Sequence, residues 1–154
     1  MDISVSLPLD SDGFLRRECP NCSRQFKWHH GPANDEAESY PDPASYTCPL
    51  CGQPAGPDDW WTSEQRDYAQ GVAAPAALQL MQDELTRAFR GQNSRFLRFE
   101  ANSSSDLPDE PMPLTEADDM VIIASPCHSY EPVKVPEDAL GPFHCLVCGA
   151  QFAV

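Results

Sequence analysis

The chain has 154 residues, a formal net charge of −14, 16 prolines and 7 cysteines. That length suits one domain or two very small ones, and its aliphatic residues are too scattered for one generous core, so something must supplement hydrophobic burial. The acidity disfavours nonspecific association with phosphate backbones and anionic membranes, and no apolar run approaches membrane-spanning length.

The opening MDISVSLPLDSDG has neither a basic n-region nor a continuous apolar h-region. The expectation is a cytoplasmic protein, in which cysteines at CxxC spacing serve as metal ligands or redox groups more often than as disulfides. Charge is unevenly distributed. Residues 1–30 set four acids against four bases and residues 31–62 carry six acids with no Lys or Arg. Residues 63–101 set five against five, and residues 102–154 carry nine acids against Lys134 alone.

In chain order, FLRRECPNCSRQFKWHH, residues 14–30, predicts a hairpin that turns at Cys19-Pro20-Asn21-Cys22 with aromatic residues on both arms. The acidic GPANDEAESYPDPAS after it reads as a solvated loop. CPLCGQPAGPDD makes a second tight turn at Cys48 to Cys51. In WWTSEQRDYAQG, Thr62 and Gln65 fit a capping box and Gly71 a helix end, which predicts a short helix over Ser63 to Gln70.

Pro75 suits the first turn of a second helix running to about Arg90, with Gly91 as its stop. Leu78, Met81, Leu85 and Phe89 recur at helical spacing and predict one buried stripe. RFLRFEA, residues 95–101, and MVIIA, residues 120–124, read as strands, separated by the acidic excursion NSSSDLPDEPMPLTEADD.

Two CxxC turns brought together supply four thiolates around a tetrahedral ion. Cys19, Cys22, Cys48 and Cys51 form such a set, with Gly52 giving the positive φ that closes the second turn. Over residues 14–60 this pattern resembles zinc-ribbon proteins, built from CPxCG-like knuckles on β-hairpins, although Ser23 stands where glycine is common. The resemblance implies a structural four-cysteine zinc site and no particular activity. Iron is the chemical alternative, since four thiolates also hold iron. A thioredoxin-like role would want a helix starting at the motif, which neither turn offers.

The C-terminal HCLVCG repeats the knuckle with Cys145 and Cys148, and Cys127 precedes it at a ribbon-like interval. This second set has three cysteines, so its fourth ligand is His128, His144, Glu131, water or a partner's group. His128 is favoured because three cysteines with one histidine is a common structural set, but an adjacent Cys127 and His128 can ligate together only if the chain turns there. His29 and His30 read as bystanders to a site that Cys48 and Cys51 already complete.

The reading is an α+β protein with small zinc-stabilised β-hairpin units near both ends, two helices between them and long acidic loops. Its divisions are residues 1–62, 63–91 and 92–154. Two Zn2+ ions with four protein ligands each stabilise a fold without activating water, which points to a protein-protein interaction or adaptor module. Its contact surface would come from Trp60, Trp61, the helix at Pro75 to Arg90 or the acidic segments. One alternative is a metal-dependent enzyme with an open site at Cys127, Cys145 and Cys148. Another is nucleic-acid binding through Phe14, Arg16, Arg17, Arg24, Phe26, Lys27, Trp28 and His29.

Overall fold

In QFKWH, residues 25–29, and VKVP, residues 133–136, large apolar side chains alternate with a lysine, the pattern of a strand with two differently covered faces. The computed structural model describes residues 3–29, 31–92, 95–96 and 107–154. Its strands are β1 (Phe14–Glu18), β2 (Gln25–His29), β3 (Tyr46–Thr47), β4 (Pro54–Ala55), β5 (Met120–Ile123), β6 (Val133–Pro136), β7 (Phe143–His144) and β8 (Gln151–Phe152). The helices are α1 (Asp35–Glu38) and α2 (Ser63–Phe89). The class is α+β, with two helices and small antiparallel sheets.

The main sheet has strand order β1-β2-β6-β5 and joins two hairpins from opposite ends of the chain. Lys27 pairs with Lys134 and Trp28 with Val133, a register that sends the two hairpin tips to opposite ends of the sheet. On one face Phe26, Trp28, Ile123, Val133 and Val135 join Cys19, Cys48, Trp60, Phe143 and Leu146 in the core. Phe26, Trp28 and Trp60 meet edge to face at centroid distances of 5.5–5.8 Å, the geometry the aromatic quadrupole favours. Trp60 is therefore core and contributes nothing to a contact surface.

The other face carries Arg16, Lys27 and Lys134. Lys27 is wholly buried and lies 3.0 Å from Glu116 and 3.2 Å from both Asp10 and Asp119. Lys134 lies 2.7 Å from Asp10 and 2.6 Å from Asp12, and Arg16 contacts Glu116 at 2.7 Å and Asp119 at 2.6 Å. Residues 116–119, part of the acidic excursion, thus cover the sheet. The reason is that a buried ammonium is tolerable only with carboxylates at hand, and none lies in its own strand.

The chain divides into two compact units, Leu7–Gln65 with Leu114–Val154, and Met1–Ser6 with Arg66–Pro113. The predicted capping box starts α2: the Thr62 N–H donates to Gln65 Oε1 and the Gln65 N–H to Thr62 Oγ1, both at 3.1 Å. The two expected helices are one of 27 residues. Pro75 lacks the N–H that would bond to residue 71, and its ring crowds that carbonyl. With the alanines around Pro75 favouring helix, the helix continues through both supposed boundaries. The supposed buried stripe is exposed at Leu78, Met81 and Leu85, by 40, 61 and 55%. The acidic loop after the first hairpin holds α1, whose N-cap Asn34 accepts from the Ala37 N–H at 2.9 Å. Most of the expected strand at 95–101 lies outside the described residues, as does His30, and Arg95 and Phe96 form a turn.

Burial opposes ionisation of Asp10, but hydrogen bonds from Lys134, the Phe14 N–H, Lys27 and the Asp12 N–H outweigh it and hold the carboxyl at about 2, below its ordinary 3.8. The folded-state value is depressed, so its stabilisation is present above the unfolded value and is lost as pH falls from about 4 through about 2. Asp10→Asn should cost about 3 kcal/mol at neutral pH by leaving buried ammonium charge undercompensated. Denaturant titrations from pH 2 to 7 should show a shallower acid limb in the variant than in wild type.

Candidate metal centres

Three hairpin tips carry the same backbone device. The N–H of the residue after each second cysteine donates to the carbonyl of the first at 2.9 Å: Ser23 to Cys19, Gly52 to Cys48 and Gly149 to Cys145. Each first cysteine's N–H donates to the residue five positions on, at 2.9–3.0 Å: Arg24, Gln53 and Ala150. Closing this turn needs a left-handed residue, and the φ values are 74° at Gly52, 76° at Gly149 and 57° at Ser23. Ser23 thus adopts the glycine conformation despite its Cβ.

The tips of β1–β2 and β3–β4 bring Cys19, Cys22, Cys48 and Cys51 together, with all ligand atoms within 4.8 Å of one another. Cys19 Sγ lies 3.7 Å from Cys51 Sγ, and Cys22 Sγ 4.0 Å from Cys48 Sγ. A tetrahedral ion with metal–sulfur bonds of ~2.3 Å would want about 3.8 Å between sulfurs. The donor set fits a metal ion. Burial and the neighbouring Cys19 and Cys22 sulfurs push the Cys48 thiol far up, because clustered thiolates repel one another away from water. A bound cation reverses that repulsion.

The second cluster combines the β5–β6 loop with the tip of β7–β8. Cys127, His128, Cys145 and Cys148 bring their donor atoms within 4.8 Å of one another. Cys127 Sγ is 3.4 Å from Cys148 Sγ, and His128 Nδ1 is 3.3 Å from Cys145 Sγ. The turn that lets neighbours in sequence face one centre is closed by the Glu131 N–H donating to the His128 carbonyl at 3.0 Å. Ser125 supports it from below: its Oγ accepts from the His128 N–H at 3.3 Å and donates to Cys145 Sγ at 3.2 Å. Burial raises the Cys145 thiol, yet the Ser125 hydroxyl and the Cys148 and Val147 N–H groups lower it more, to about 6. Both clusters could hold a metal ion. Cys127 and Cys148 are exposed, whereas Cys19 and Cys48 lie in the core.

His144 and Glu131 stand outside the second cluster. The His144 ring packs over Gly52, where an added Cβ would lie 2.7 Å from it, and its Nε2 is 3.2 Å from Gln151 Nε2. His29 meets Phe14 edge to face, with ring centroids 4.4 Å apart. A signal absent from the sequence is the docking of the second and third knuckles. The Thr47 N–H donates to the Leu146 carbonyl at 2.8 Å and the His144 N–H to the Pro49 carbonyl at 2.9 Å. Each knuckle gives the bond before its first cysteine and takes the one after it. The closing glycines repeat the exchange, Gly52 lying against His144 and Gly149 against Thr47.

Compared with known proteins, the chain matches no family model, no curated protein and no solved structure.

Ser23→Gly should stabilise the protein by about 1 kcal/mol by relieving the left-handed strain. Gly52→Ala should cost about 2 kcal/mol or more, from positive φ together with the clash against His144. Adding His144→Ala should recover the clash and leave the φ strain. Urea midpoints of the single and double variants measure the split.

Proposed function

We propose that this chain is a protein-interaction module whose hairpin unit is folded around two structural zinc ions. The observation that carries the proposal is His128 Nδ1 beside the three thiols of the second cluster. With it each cluster offers four protein donors, and a tetrahedral zinc so held has no position left for an activated water. The enzymatic alternative needs that position. Four thiolates at one site, and three thiolates with an imidazole at the other, suit zinc better than harder divalent ions.

The basic-aromatic hairpin is poorly placed to bind nucleic acid. Arg16 and Lys27 are engaged with carboxylates, and the Arg17 guanidinium lies 4.9 Å over the Trp28 ring in a buried position. Of the cluster's four cations only Arg24 is exposed. Phosphate contacts need several accessible cations on one face.

The contact surface we assign is the exposed stretch of α2 bearing Leu78, Met81 and Leu85, which recur at spacings of three and four. A partner with an apolar groove fits it. No helix among the described residues is long and apolar enough to cross a membrane, so that role for α2 is set aside.

Elemental analysis of protein purified without chelators should give two zinc ions per chain, and their removal should abolish the cooperative unfolding of the hairpin unit. Less than one metal per chain, with melting unchanged after chelation, overturns the reading. For the surface, affinity capture from the native host with wild type and with a Leu78→Lys, Leu85→Lys double variant should return a discrete partner only with wild type. Both proteins should keep the same metal content.

A further inference from the structure

We propose that Tyr40 and Tyr130 position His128, so that the loop within the first metal cluster is a working part of the second. This rests on the reading that both clusters hold metal, and it assigns these two residues a role in metal affinity.

Cys22 and Cys48 bracket the segment that carries α1 and Tyr40. Asn34, which caps α1, also donates from Nδ2 to the Tyr130 carbonyl at 3.4 Å. The Tyr40 ring lies flat on Tyr130, with centroids 4.2 Å apart and planes 3° from parallel. Tyr130 in turn meets the His128 imidazole edge to face at 5.7 Å and 74°. A continuous line of contacts therefore runs from the capped α1 through two aromatic rings to the fourth donor of the other cluster. Ala37, Tyr40, Pro43, Tyr130 and Val147 close around a cleft of only about 20 Å³, room for little more than one water. Val147 lies between Cys145 and Cys148, so the same packing also touches the third knuckle.

His128 needs such support more than the cysteines do. Its backbone is fixed by Ser125 and by the Glu131 N–H, but those bonds leave the torsions of the side chain to be set by packing. Two of its three partner thiols are exposed, so water reaches the site whenever the imidazole swings away. Residues that orient a metal-bound histidine typically change affinity about 10- to 100-fold. A stacked pair acting on such a residue through its neighbour belongs at the lower end of that range.

The test is a cobalt(II) titration of the full chain against a competing chelator, followed by visible absorption, because four-thiolate and three-thiolate-one-imidazole cobalt differ in their bands. Wild type should take up two ions with one spectrum of each kind. Tyr40→Ala and Tyr130→Ala should keep the four-thiolate site unchanged and weaken the imidazole-bearing site about tenfold. Tyr40→Phe and Tyr130→Phe should match wild type, since the rings make the contact. Tyr40→Leu, which keeps apolar bulk without a ring to stack, should behave as Tyr40→Ala and guards against a packing collapse in the smaller variant.

Equal second-site affinity in wild type, Tyr40→Ala and Tyr130→Ala overturns the proposal. So does parallel weakening of both sites in Tyr40→Ala and Tyr40→Leu, which would make the aromatic pair a general element of the fold. Uptake of fewer than two cobalt ions by wild type, or no imidazole-bearing spectrum, is a failure of the two-metal reading itself and is recognised before any variant is compared.

Discussion

The reciprocal pair of backbone hydrogen bonds between the second and third knuckles, Thr47 to Leu146 and His144 to Pro49, is the constraint on which the rest of the hairpin unit depends. β3, β4, β7 and β8 have two residues each, too few to persist as separate hairpins in water. Each knuckle is therefore held by its cysteines on one side and by the other knuckle on the other. Because Cys48 and Cys51 complete the first cluster while Cys145 and Cys148 belong to the second, the exchange makes two distant groups of ligands parts of one body.

The main sheet needs two covers, and the composition supplies apolar material for only one. Phe26, Trp28, Val133 and Val135 occupy the core face together with Trp60 and the buried cysteines. On the opposite face the alternation leaves Arg16, Lys27 and Lys134, and the cover is carboxylate from residues 10–12 and 116–119. Buried ion pairs contribute little net stability against well-packed apolar residues, but removing one partner is costly. Their effect here is selective: among the many acidic stretches of the chain, only those that bring a carboxylate to an ammonium can lie on the sheet. The four acids Asp10, Asp12, Glu116 and Asp119 are engaged within the fold in this way.

Local signals made the hairpin tips and the start of α2 legible. CxxC spacing located all three knuckles, and Thr62 with Gln65 located the cap, because both features act between residues three or four apart. β6 was not legible. Pro132 precedes it, Pro136 is its last residue and Lys134 lies within it, and it is a strand because Asp10 and Asp12, far upstream, neutralise that lysine. Gly71 and Pro75 misled for a related reason. Each reads as a boundary alone, yet at a separation of four residues the glycine occupies the position the proline ring crowds, and the helix continues. The assembly of the second cluster was legible as three cysteines seeking a fourth ligand. What brings His128 to them is a turn and an aromatic stack involving Tyr40, a residue from the first cluster's loop, and no spacing rule connects those positions.

The two parts of the chain differ in how completely their side chains are committed. In the hairpin unit the indole of Trp60 is enclosed, the cations Arg16, Lys27 and Lys134 have carboxylate partners, and the cysteines face one another. In α2 the reverse holds: Leu78, Leu80, Met81 and Leu85 are all at least 40% exposed, although burying one such side chain is worth about 1.5–3 kcal/mol. Ala, Leu, Gln and Glu carry high intrinsic helix propensity and Thr62 with Gln65 caps the start, which favours the helix even with that surface unburied. Under the proposed function, these unburied apolar side chains are the ones a partner would cover, apart from the two clusters that would hold metal.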